Sequence, residues 1–182
     1  MHEVSLGGTI KDYLSGEERD CTTYEDLRQA LARFLVEERG FDPARLRSHY
    51  PVAYQVNGES FEREADIIMF RGNGAPGLIL VFCPGQVNTY AREVRAMARL
   101  CLPAPCPLAV VTDMREADLF AVASGTMLAQ GLPALPAYIA MEKLAEAHPV
   151  APLSPEAREK ESRILHTYTG FLKSCCGERC EF

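Results

Sequence analysis

The run Leu78-Ile79-Leu80-Val81-Phe82-Cys83 is apolar at every position. A strand with one wet face alternates polar and apolar residues, so an unbroken run of strand length needs cover on both faces and belongs in the middle of a sheet. Its predicted partner is residues 61–70, where Asp66 stands ahead of Ile67, Ile68, Met69 and Phe70, and Arg71-Gly-Asn-Gly-Ala-Pro-Gly77 makes the turn between them. Pro51 to Val56 followed by Asn57-Gly58 reads as a preceding strand and its hairpin turn. Pro84-Gly85 ends the apolar run.

Helices flank this meander. Thr23 with Asp26 three residues on resembles a capping box, Leu27, Leu31, Phe34 and Leu35 share one face, and Gly40 suits a left-handed C-cap, which predicts a helix over about residues 24–39. After the central strand, Asn88 or Thr89 is placed to cap a helix running to Leu100. Tyr90, Val94, Met97, Ala98 and Cys101 line its buried side, and Arg92, Arg95 and Arg99 fall on the other, which the spacing gives to solvent. Pro107 to Asp113 is a second buried strand, and Leu119 to Val122 with Met127 to Ala129 form a small hairpin. From Pro133 the chain is helical again, with Tyr138, Met141 and Leu144 on one face, until His148-Pro149 stops it. Residues 149–152 read as a linker before a last helix, capped by Ser154, that runs to about Lys173.

This order predicts an α/β fold: a mixed sheet flanked by helices over residues 1–148, then a linker, helix and Cys-rich tail over residues 149–182. A chain of 182 residues with 47% hydrophobic content fits one domain with a tail. No apolar run is of membrane-spanning length and the N-terminus lacks a signal pattern, so a cytoplasmic protein is expected, with no membrane contact. The net charge of -6 argues against a dedicated nucleic-acid binder and leaves room for a local basic face. Weak, salt-dependent DNA binding is then expected at Arg92, Arg95 and Arg99, and a protein partner or homodimer stays open.

Seven cysteines without a secretory segment point to reduced thiols or metal ligands. Cys175, Cys176 and Cys180 offer three soft ligands for zinc or an iron-sulfur centre, with His166, Cys21, Cys101, Cys106 or a second chain as the fourth. A frayed terminus or a redox pair are the other readings of that tail. Cys83, Cys101 and Cys106 read as small core residues, and His49 and His148 lie beside turns with no evident partner.

The helix YEDLRQALARFLVEERGF, the hairpin carrying Asp66, the run LILVFC, the helix YAREVRAMARL and the strand ending AVVTD together resemble the N-terminal nuclease-like domain of type I restriction enzyme R subunits, in the PD-(D/E)XK superfamily. The resemblance covers about residues 20–122 and implies a restriction-endonuclease-like fold. It also implies that Asp66 is a ligand for a divalent cation such as magnesium, which would polarise phosphate and generate hydroxide. The family's Glu-x-Lys falls on Phe82-Cys83-Pro84, which supplies neither a second acid nor a cation. The expectation is a degenerate active site and a binding or accessory module. The alternatives are a DNA endonuclease using Asp66 with relocated Glu93, and a metal or redox protein using the tail cysteines. In the endonuclease, Arg92 or Arg95 would stand in for the lysine, and Glu25 or Glu37 would be further acids. A structural role for Asp66, paired with Arg63 or Arg71, competes with the metal role. Glu62 and Glu64 share its strand face by spacing.

Overall fold

The computed structural model describes residues 3–83, 86–113 and 115–176, with residues 170–176 as backbone only. An N-terminal hairpin, β1 (Ser5–Lys11) and β2 (Glu18–Thr22), leads into helix α1 (Thr23–Glu37). A short turn of helix at Pro43–Arg45 opens the meander β3 (Leu46–Val56), β4 (Glu59–Phe70) and β5 (Pro76–Phe82). Helix α2 (Val87–Leu100) then crosses over to β6 (Leu108–Thr112), followed by β7 (Ala117–Ala121), β8 (Met127–Gln130), α3 (Tyr138–Ala147) and α4 (Pro155–Cys176). The last six strands form one sheet in the order β3-β4-β5-β6-β7-β8, in which only β5 and β6 run parallel.

The apolar run dictates this arrangement. Every residue of β5 is buried, and its side chains alternate between two cores. Ile79 and Val81 join Val94 and Met97 of α2 and Leu165 of α4, while Leu78, Leu80 and Phe82 join Leu31 and Leu35 of α1 and Met141 of α3. A parallel β5/β6 pair requires a crossover, and α2 supplies it. No helix among the described residues is long and apolar enough to cross a membrane.

Several local expectations are corrected. Thr22 caps α1, its hydroxyl accepting the Glu25 N–H at 3.0 Å, so the cap precedes Thr23 by one residue. Helix α2 begins at Val87 behind Gln86, ahead of Asn88 and Thr89, and no side chain caps it. The hairpin β1/β2 carries no hydrophobic alternation to announce it, being exposed along most of β1. Helix α4 extends three residues past Lys173, to Cys176. Pro84-Gly85, Cys180 and the side chains of Cys175 and Cys176 lie outside what is described, so the expected metal site in the tail does too. Cys83, Cys101 and Cys106 are buried, as expected of core thiols.

Strand β3 begins five residues before Pro51, because the alternation of side chains reverses within it. Leu46 lies in the α1-side core, yet Val52 and Tyr54, at the same parity, lie in the α2-side core. In β4 the same switch separates Ile67 and Met69 from Ala65. The reversal falls at His49, whose φ of 50° is left-handed, opposite the Asp66 region of β4.

The arginine side of α2 is also corrected: it faces α4 and the β7/β8 turn rather than solvent. Glu161 of α4 accepts from Arg92 Nη1 and Arg99 Nη1, both at 2.7 Å, and Arg99 Nη2 reaches the Val122 carbonyl at 2.9 Å. Arg95 Nη1 donates to the Gly125 carbonyl at 3.2 Å. Gly125 has φ 76°, a backbone conformation that favours glycine, and a Cβ there would displace the Arg95 guanidinium.

Burial by itself would raise the Glu161 carboxyl, but hydrogen bonds from Arg92 and Arg99 hold it below the ordinary glutamate range. A depressed acid stabilises the fold above its unfolded pKa, about 4.3, and that contribution fades as pH falls through the lower folded value. Glu161→Gln is therefore expected to cost about 1–3 kcal/mol at neutral pH. Urea unfolding of both proteins should show the gap narrowing as pH is lowered from 5 toward 3; a gap independent of pH would contradict the ion-pair role.

Candidate functional site

Strands β4 and β5 pair only as far as Ile67 opposite Leu80, whereas β5 stays paired with β6 through Phe82 opposite Thr112. The two central strands therefore fork beyond Leu80, which leaves the Phe82 N–H without a β4 carbonyl. Asp66 fills the gap, its Oδ2 accepting that N–H at 2.7 Å. Its Oδ1 accepts from Arg28 of α1, at 2.6 Å from Nη2 and 3.2 Å from Nε.

The start of α1 breaks the usual amphipathic rule, since Glu25, Arg28 and Gln29 share one face and all three are buried. Arg28 Nη1 also donates to Glu25 Oε2, so one guanidinium bridges carboxylates from a helix and a strand. Burial works against the Arg28 charge, and Asp66 and Glu25 more than offset it, raising its pKa. Gln29 Nε2 donates to Glu25 Oε1 and, at 3.1 Å, to Asp12 Oδ2.

Asp12 comes from the turn of the N-terminal hairpin and is 2% exposed. Its Oδ1 accepts the N–H groups of Leu14 and Ser15, and its Oδ2 accepts the Ser48 hydroxyl at 2.8 Å. Burial pushes this carboxyl up, but the donors from Ser15, Ser48, Gln29 and Leu14 outweigh it and bring the pKa to about 2. His49 completes the cluster, with Nε2 3.0 Å from Glu25 Oε2 and 3.1 Å from Arg28 Nη1, and Nδ1 2.9 Å from Glu64 Oε2. Asp12, Glu25 and His49 thus bring ligand atoms within 4.8 Å of one another, a spacing and donor set that suit a metal triad.

Glu93 lies on the other side of the sheet and is fully buried rather than solvated. Its Oε1 meets Arg63 Nε at 3.2 Å, and its Oε2 has no hydrogen-bond partner among the described residues. Burial raises its pKa, Arg63 pulls it back, and the charge of Asp66 adds to the rise, so the two acids share one field.

The partners differ from those expected. Asp66 pairs with Arg28, while Arg63 goes to Glu93 and Arg71 to Glu142 and Glu146. Arg92 and Arg95 are committed to Glu161 and the Gly125 turn, so neither is the cation at Asp66. Glu25 joins the site, whereas Glu37 is exposed at the far end of α1, twelve residues or about 18 Å away. Glu64, though exposed, turns to His49, so the acidic strand face has an ion-pair partner at two of its three positions, Glu64 and Asp66. His166 packs beside Phe61, ring centroids 4.4 Å apart. The local signal for Arg28 was present in Glu25-Asp-Leu-Arg28-Gln29, a charged group on the side of a helix that otherwise buries leucines.

A mixed sheet with a leading helix, a crossover helix between its parallel strands and an aspartate at the fork of the central pair is a restriction-endonuclease-like architecture. Residues 23–136 match the family described as the type I restriction enzyme R protein N terminus (HSDR_N), and the chain belongs to that family. Among solved structures it is similar to the type IIG restriction endonuclease BpuSI, at 14% identity and a TM-score of 0.36, over 79% of this chain and 16% of that one. No curated protein matches it by sequence.

A buried acid with a raised pKa binds protons in the folded state that the unfolded state has released, so it costs stability as pH rises. Glu93→Gln removes that cost. The stability of the native protein relative to this variant is expected to fall between pH 5 and pH 8, and parallel urea titrations at the two pH values would expose a flat difference if the burial effect were absent.

Proposed function

We propose that this domain is a nuclease-fold binding or accessory module that does not cleave DNA. One observation carries the reading: the Arg28 guanidinium lies between the Glu25 and Asp66 carboxylates, where a metal-dependent site would need a dication. The donor set supports it. Both oxygens of Asp12, Glu25 and Asp66 already accept hydrogen bonds from the chain, and a fixed positive charge beside Glu25 and Asp66 repels an arriving cation. In the sequence, the positions that would supply an acid and a lysine hold Phe82, whose backbone N–H is what Asp66 uses, and Pro84. The side chains therefore do not fit a catalytic magnesium as they stand.

A second reading is a divalent-metal-dependent DNA endonuclease that pairs Asp66 with Glu93. The unpartnered, fully buried Glu93 Oε2 favours it, because that oxygen is a buried acidic acceptor whose carboxyl shares the field of Asp66. It has no cation to take the place of the missing lysine, since Arg63 is spent on Glu93 itself.

The first reading expects native protein to leave plasmid and linear DNA intact with magnesium or manganese. Arg28→Ala leaves Glu25 and Asp66 facing each other uncompensated, so millimolar manganese should raise the melting temperature of the variant and leave that of the native protein unchanged. Cleavage by the native protein that disappears in Asp66→Ala and in Glu93→Ala would overturn this reading in favour of the second.

A further inference from the structure

A cleft of about 530 Å³ opens beside β3, sharing Ser48 and His49 with the carboxylate cluster, and falls in the size range of small-ligand sites. Arg45, Arg47, Arg71, His49, Tyr50 and Phe70 are among its lining residues. On a chain of net charge -6 this is a local reversal of sign. Two of the arginines have no carboxylate partner among the described residues. Arg47 Nη1 donates to the carbonyls of Ala44 and Leu46, and Arg45 Nη1 to that of Arg71 at 2.7 Å, with its guanidinium 5.8 Å from the centre of the Tyr138 ring. Each keeps further N–H groups for an anion.

The other half of the cleft is aromatic. Tyr50 and Phe70 meet edge to face with centroids 6.0 Å apart, and the Tyr50 hydroxyl is held by the Leu102 carbonyl at 2.7 Å, which fixes its ring. Strand β3 is the edge of the six-stranded sheet, so part of its backbone is also free to bond a ligand. Two unpaired guanidinium groups suit a phosphodiester, fixed aromatic faces suit a base, and single strands are held by that combination.

We propose that this cleft binds a nucleotide unit of single-stranded nucleic acid, with Arg45 and Arg47 on the phosphate and Tyr50 and Phe70 on the base. The inference rests on the domain being a binding module, and it moves the nucleic-acid contact from the α2 arginines to the β3 edge. Affinity is modest, with Kd on the order of 10–100 μM at physiological salt, because the phosphate interaction dominates it.

The test is fluorescence anisotropy of a labelled oligothymidylate with the full chain in EDTA, so that no metal-dependent event enters. Arg47→Ala and Phe70→Leu, each checked for an unchanged circular dichroism spectrum and melting transition, are expected to weaken binding about tenfold, which is what one phosphate or stacking interaction is worth. Arg45→Ala with Arg47→Ala should also flatten the salt dependence, by about 0.7 in the log-log slope for each phosphate that is no longer neutralised. Arg95→Ala should leave affinity unchanged. Binding that ignores Arg47→Ala, binding abolished in Arg95→Ala, or no binding at all overturns the proposal. Competition by free thymidine monophosphate as effective as by the oligomer overturns the single-strand assignment in favour of a mononucleotide. Failure here leaves the cleavage result untouched, and cleavage by the native protein leaves this result untouched.

Discussion

The pairing of Arg28 with Asp66 and Glu25 is the constraint on which the site depends. Glu25 and Asp66 pair with one guanidinium, and Asp12 joins Glu25 beside one imidazole, all largely removed from water. One arginine cannot neutralise three carboxylates. The remainder is carried by neutral donors: the N–H groups of Leu14 and Ser15, the Ser48 hydroxyl, the Gln29 amide and the Phe82 N–H. These donors come from separate pieces of chain, so satisfying the acids fixes the N-terminal hairpin, α1, β3 and β5 against one another. A network of this kind is costly to break at one member, because the partners left behind stay buried and charged.

The same point organises the sheet. At His49 and Asp66 the paired strands β3 and β4 exchange which face they present to which core, and at Asp66 the β4/β5 ladder opens. A left-handed residue inside a strand is unfavourable for any residue but glycine, and His49 holds it with both ring nitrogens against partners on α1 and β4. Inside the bend lies the acid cluster. Outside it, the displaced β3 edge and the turn after β4 leave the basic and aromatic cleft. One bend therefore borders both a buried acidic cluster and a basic cleft.

How much of this the residues announce depends on how local the cause is. The unbroken run Leu78 to Cys83 identifies the central strand, and the crossover helix and parallel strand follow from it. The resemblance of residues 20–122 anticipates the architecture. Strand β3 is legible only from Pro51, because the face reversal at His49 destroys the alternation on which strand reading relies. The arginines of α2 are misassigned to solvent because spacing along one helix says nothing of a second helix, α4, that brings Glu161 to them. Asp66 and Arg28 are 38 residues apart, and no periodicity links positions at that distance. The spacing of Glu25, Arg28 and Gln29 was visible, but its meaning needed the fork in the sheet.

The loss at β5 and the presence of Arg28 fit together as one electrostatic solution. With Phe82 in place of an acid, a dication at Asp66 loses a ligand, and without it Glu25 and Asp66 would face each other across a buried gap. Like charges so placed must either take up protons or acquire a counter-charge. A guanidinium does the second with a planar array of donors that can serve two carboxylates at once, and it cannot be released or exchanged as a metal can. The Arg28 pairing with Asp66 also joins α1 to β4. Among the described residues, the buried acid near it with an oxygen that accepts no hydrogen bond is Glu93, and burial pushes that carboxyl toward the protonated form in which it needs no counter-charge.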